Sequence, residues 1–230
     1  MMKKGLLIIL LTTICLFSLN VFAGYECIEG DCEGGKGVMV MSDGTRYEGE
    51  FKDDVPHGHG VFIHPRKEYG KEYKFLTSGT YEGEIERGVK QGKGTFMLLT
   101  GSKYVGEFEA NRMHGKGKMV NANGTVYEGS FEKGMPHGNG TVTFNDGRKY
   151  VGGVKKNYFS GEGTMTFPDG RKYAGNFRKN KMYGQGVMTH PDGKKEEGWF
   201  ENDKFVGKEK PEPEEKLKEK EKPEPEEKKD

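Results

Sequence analysis

The stretch Tyr127-Glu-Gly129-Ser-Phe131-Glu-Lys-Gly-Met-Pro-His137-Gly138-Asn-Gly140-Thr-Val142-Thr-Phe144-Asn-Asp146-Gly147-Arg-Lys149 decides the fold. Tyr127, Gly129 and Phe131 alternate with polar residues, and so do Gly140, Val142 and Phe144. Side chains two apart share one face of a strand, so each run is a short strand with one apolar face. Asp146-Gly147 predicts a tight hairpin turn after the second strand, and Lys133-Gly134-Met135-Pro136 supplies the turn between the two. Each unit is therefore an antiparallel hairpin.

The unit recurs. Tyr47, Tyr81, Tyr104, Tyr127, Tyr150 and Tyr173 open successive copies, spaced by 23 residues from Tyr81 onward. Each has a glycine two places later, and the last copy keeps Gly198 but has Glu196 in place of the tyrosine. A fixed period of this size marks a repeat array, in which each unit packs on its neighbours. Four residues beyond each tyrosine position stand Phe51, Ile85, Phe108, Phe131, Val154, Phe177 and Phe200. Two beyond the second glycine of each Gly-x-Gly stand Phe62, Phe96, Met119, Val142, Met165 and Met188, and these two sets form the expected core. Glycine inside a strand is retained where something passes close to the backbone. The expected arrangement is a tyrosine ring laid on glycines in a thin all-β meander of about 14 strands, roughly 65 Å long at the usual strand spacing.

These residues resemble the membrane occupation and recognition nexus (MORN) repeat, over about residues 35–207. The matching phrase is Tyr-x-Gly-x-Phe, a turn, (His)-Gly-x-Gly, then Asp/Asn-Gly. The resemblance implies an elongated, twisted, single-layer antiparallel sheet of hairpins. It implies a scaffold acting through protein–protein contacts, often self-associating, with acidic phospholipid binding proposed for some members. Catalytic domains, where they accompany such repeats, are separate. The period breaks after Ile63, where an insertion carries Tyr69, Tyr73 and Phe75, and again at the last copy, where Trp199 is expected to cover the open end of the core.

The ends have other compositions. Lys3 and Lys4, an apolar run over 5–19 and Val21-Phe22-Ala23 read as a signal peptide over 1–23, with a membrane anchor as the alternative. The expected form is therefore a stand-alone exported bacterial protein of the periplasm, envelope or exterior. Loss of 1–23 takes the formal charge from +1 to −1, a balance that disfavours nucleic acid. Cys27 and Cys32, in the segment 24–34, read as one disulfide loop or as two free thiols. Residues 208–230 are nearly all Lys, Glu, Pro and Asp, and read as a disordered, solvated tail or a tether.

The sequence shows no arrangement for catalysis. His57, His114 and His137 occupy one repeat position, but equivalent positions two strands apart lie roughly 9–10 Å from each other, too far to converge on one metal ion. No Gly-x-Gly continues as a phosphate-binding loop before a helix. No enzyme activity, cofactor or metal is expected. The expected partner is a protein. A homodimer, membrane lipid and cell-wall glycan stay open as alternatives. The candidate contact residues are Tyr69, Tyr73 and Phe75 of the insertion and the row Tyr81, Tyr104, Tyr127, Tyr150 and Tyr173; the competing reading of the row is core.

Overall fold

The computed structural model describes residues 24–65 and 78–211. The described chain is all-β. Its strands are β1 (Tyr25–Gly30), β2 (Lys36–Met41), β3 (Arg46–Lys52), β4 (Val55–His64), β5 (Gly79–Glu86), β6 (Val89–Leu98), β7 (Lys103–Glu109), β8 (Arg112–Val120), β9 (Val126–Glu132), β10 (Met135–Thr143), β11 (Lys149–Lys155), β12 (Tyr158–Thr166), β13 (Lys172–Arg178), β14 (Lys181–Thr189), β15 (Lys195–Glu201) and β16 (Lys204–Gly207). They form one sheet of 16 strands in chain order, each hydrogen-bonded to its sequence neighbours. Two strands exceed the expected number's reach: β1 pairs with β2 ahead of the array, and β16 closes the far end against β15. Cys27 and Cys32 are joined by a disulfide, S–S 2.09 Å, which ties β1 to the turn that follows it.

Register explains the recurring glycines. Gly37 lies opposite Gly49, Gly49 opposite Gly60, Gly60 opposite Gly83, and the pairing continues to Gly186 opposite Gly198. One glycine from each strand from β2 to β15 thus forms a row across the whole sheet. Within each tyrosine-led hairpin the ladder shifts just beyond this row, as between Gly129/Gly140 and Phe131/Pro136. Gly138 takes a φ of +75° there, a backbone geometry that glycine adopts without steric cost.

The two sheet margins use different turns. On one, pairs such as Ala110-Asn111, Lys156-Asn157 and Lys179-Asn180 have positive φ at both residues, the two-residue hairpin geometry. On the other, Asp146-Gly147 does not make the two-residue turn expected of it. Only Gly147 has positive φ, Phe144 N–H donates to the Arg148 carbonyl (2.9 Å), and Asp146 Oδ1 accepts the Arg148 N–H (3.0 Å). The Asp side chain holds a wider loop, because its carboxylate bonds a backbone N–H two residues on.

The core lies on one face of this single layer. Tyr47, Tyr81, Tyr104, Tyr150 and Tyr173 are 0% exposed. Each ring meets a phenylalanine of its own or the next unit edge-on, for example Tyr104 with Phe108 and Phe131 at 5.2 and 4.8 Å between centroids. Such pairs contribute about 0.5–1.5 kcal/mol beyond their buried area. At the C-terminal end the core is closed by Phe200, 1% exposed, with the Phe205 ring 5.3 Å away. Trp199 is not the cover expected of it. It alternates with Phe200 and so stands on the opposite face, half-buried.

Candidate binding surface

The tyrosine row is core. Tyr81, Tyr104, Tyr150 and Tyr173 are fully buried and Tyr127 is 4% exposed, so the expectation that this row forms a contact surface is corrected. The physical reason is the glycine row beneath it. The Tyr104 ring lies down across Gly106 and Gly117, so close that a Cβ on Gly117 would come within 2.5 Å of Cε2. Its hydroxyl then donates to backbone carbonyls of Glu107 (2.9 Å) and His114 (3.2 Å). Tyr81, Tyr127, Tyr150 and Tyr173 donate likewise to the carbonyl three residues on, at 2.7–3.1 Å. Burial is the main force raising these phenols, with Tyr47, Tyr104, Tyr150 and Tyr173 pushed up to about 12. Neutral, hydrogen-bonded and covered, the rings hold the hairpins together. Tyr69, Tyr73 and Phe75 lie outside the described residues.

The other face of the sheet is a trough. Its floor is the backbone of the glycine row, and its sides are the residues that flank each glycine on that face. Toward the C-terminal end it encloses about 940 Å³, with Val151, Thr164, Ala174 and Val187 along one side and Glu162, Asn176 and Gln185 along the other. Toward the N-terminal end it encloses about 410 Å³ between Val38, Glu48, Val61 and Glu82 and the facing Lys36, Glu50 and His59. In the early units the acid after the glycine folds back over the shifted ladder: Glu84 accepts the Lys93 N–H and Glu107 the Lys116 N–H, both at 2.9 Å. In later units Ser130, Gly153 and Asn176 replace those acids, so fewer acids line the C-terminal trough, where Glu162 and Glu197 remain.

Charge is divided along the chain. Residues 24–132 carry 14 Lys/Arg and 18 Asp/Glu, whereas 133–211 carry 15 and 9. The near-zero total concealed this division. The lysine that precedes Tyr150, Tyr173 and Glu196 was its signal, since strand alternation turns that residue to the trough face.

The histidines do not converge. His114 Nδ1 lies 3.1 Å from Glu109, and His137 Nε2 lies 3.4 Å from Glu132. Among the described residues no group of three His, Cys, Asp or Glu side chains could hold a metal ion. One buried cation had no sequence signal beyond its position. Lys90 is 9% exposed, with Nζ 2.8 Å from His64 Nε2 and 4.6 Å from the Phe96 ring centroid. Desolvation lowers it to about 8.

Sheet and trough together define a single-layer β-hairpin repeat protein. The MORN repeat model matches residues 47–66, 81–103, 104–126, 127–147, 150–170 and 173–195, more than half of the chain. The chain belongs to the MORN repeat family. No curated protein matches it. Among solved structures it is similar to the SAS-4 (dCPAP) TCP domain of Drosophila melanogaster, in complex with a proline-rich motif of Ana2 (dSTIL). That likeness has 12% identity, 75% coverage of this chain and 87% of that chain, and a TM-score of 0.42. It is also similar to the wild-type TCP10 domain of Danio rerio CPAP, at 13% identity, 77% and 84% coverage and a TM-score of 0.38.

Proposed function

We propose that this chain is a non-catalytic scaffold that holds a protein partner along the glycine-floored trough. The observation that carries this reading is the trough itself, which lies on the face opposite the buried tyrosines. Val151 in its side is 47% exposed, an apolar side chain left open to a partner on that face. The insertion bearing Tyr69, Tyr73 and Phe75 belongs to the same proposal as a second contact element. Export is part of it too, supported by the charged-then-apolar N-terminal pattern and by the Cys27–Cys32 disulfide, a bond favoured in oxidising compartments.

Affinity capture from cell-envelope extracts tests the surface. The full chain is compared with a Val151→Glu/Val187→Glu variant and with a Lys156→Gln control at a turn. Trough variants are expected to lose partners that the control retains. An unchanged set of captured proteins would remove the trough from the proposal, and an unchanged set after deletion of 65–76 would remove the insertion. Export is checked by N-terminal sequencing of the fractionated protein, with Gly24 expected as the first residue.

A further inference from the structure

Three lysines stand in register along one bank of the C-terminal trough. Lys149 on β11 faces Thr166, Thr166 faces Lys172 on β13, Lys172 faces Thr189, and Thr189 faces Lys195 on β15. All three lysines are exposed, and none makes an ion pair among the described residues. The nearby Asp146 and Asp169 are engaged by Arg148 and Arg171 instead, at 2.8 and 2.7 Å. Alternate strands place these ammonium groups on a ladder with a step of roughly 9.6 Å.

A chain of matching step is encoded in the same molecule. From residue 209 onward every third residue is Glu209, Glu212, Glu215, then Lys218, then Glu221, Glu224, Glu227 and Asp230. The other two series of third residues mix Lys, Pro and Glu, with Leu217 in one of them. A proline-rich segment in the polyproline II form has three residues per turn and rises about 3.1 Å per residue. That form would align the carboxylates along one edge every ~9.3 Å, close to the lysine step. The segment also starts in the right place. Lys208 lines the trough, and Lys210 Nζ lies 5.7 Å from the Trp199 ring centroid on the trough face of β15. From β15 back to β11 is roughly 19 Å, whereas the 212–230 stretch can span about 59 Å in this form.

We infer that the lysine ladder docks the acidic edge of the chain's own segment 209–230, which then lies as a strap along the trough. The step of the ladder selects carboxylates spaced by three residues, and the trough's own acids, Glu162 and Glu197, make no ion pair with these lysines among the described residues. A strap in this position shares the bank with any partner entering the C-terminal trough, so partner and strap compete. The inference stands apart from the scaffold reading, because its test needs no partner.

Zero-length carbodiimide coupling of the full chain joins only amines and carboxylates already in contact. Peptide mapping is expected to find Lys149, Lys172 and Lys195 coupled to the glutamates at 209, 212, 215, 221, 224 and 227. Coupling is expected to be lost at 1 M salt, where the screening length falls to about 3 Å. It is also expected to be lost when those six glutamates are replaced by Gln; all six follow the last strand in sequence. In a mixture of isotope-labelled and unlabelled chains, the coupled peptides are expected within single chains. Absence of ladder-to-tail coupling at low salt overturns the inference. So does coupling that survives the six replacements, or that occurs only between chains.

Discussion

At the scale of single residues, the fold depends on what glycine lacks. Gly117 carries the Tyr104 ring where a side chain would stand. Gly117→Ala is expected to destabilise the protein by about 1–3 kcal/mol, the usual cost of overpacking. Gly34 has nothing within 4 Å of its would-be Cβ, and Gly34→Ala is expected to be neutral or to stabilise by about 0.4–1 kcal/mol. Urea unfolding of the two variants checks both. Lys90 gives the opposite case, an unfavourable group kept inside. Its pKa is lowered to about 8 from the ordinary 10.5, so between those values the unfolded chain binds more protons. The penalty is fully present below pH 8, and stability is expected to rise with pH from there toward 10. Above 10 the buried tyrosines reverse the trend, because only the unfolded chain's phenols ionise readily. Lys90→Met is expected to abolish the rise between pH 8 and 10 and to add about 1–3 kcal/mol at pH 7. Denaturant midpoints across pH 7–10 decide this.

At the scale of elements, the turns do more than reverse the chain. Asn180, at φ +70° in a two-residue turn, accepts the Phe159 N–H of the preceding unit at 2.7 Å. Asn111 does the same for Lys90 at 2.9 Å, and Asp203 for Met182 at 2.8 Å. Hairpin is thereby bonded to hairpin at the margin as well as through the ladder. Asn180→Ala loses the bond and strains the backbone, and is expected to cost about 2–3 kcal/mol. Asn180→Gly loses only the bond and is expected to cost about 1 kcal/mol, so the order of the two midpoints separates the effects. Strands, their order and their apolar face were legible from Tyr127, Phe131, Val142 and their counterparts, because alternation fixes which residues share a face. Which face carries the flat tyrosine rings and which the trough was not. Whether a tyrosine stands up from a sheet or lies flat on it depends on a glycine in the neighbouring strand, and that pairing is a matter of register. The 23-residue period gave Gly129 and Gly140 in the sequence, but not their position opposite each other. Trp199 was misplaced because its neighbour Phe200 was already the core residue of that unit.

At the scale of the whole molecule, the sheet is a one-dimensional stack. Every strand pairs with the strands next to it in sequence. Stability in such arrays is close to a sum over units and their interfaces. Removal of one whole unit, residues 104–126, is expected to leave a folded, shorter sheet with a smaller urea m-value, read by circular dichroism during denaturation. Amide hydrogen exchange is expected to be fastest in β1 and β16, which have a neighbour on one side only, and slowest near β8 and β9.

The glycine row has a mechanical consequence. It is a crease that crosses every strand from β2 to β15 at one level, like the spine of a book. On the trough side no side chain of the row resists bending, whereas on the other side the tyrosine rings press against it. A tilt of the two leaves keeps the ladder hydrogen bonds, which run along the spine, at their lengths, and is limited by the tyrosine hydroxyls that bond across the row. Girth is thus the adjustable dimension of the trough, and pitch along it stays fixed by strand spacing. For the proposed partner, this means selection by the repeat distance of its features rather than by its thickness.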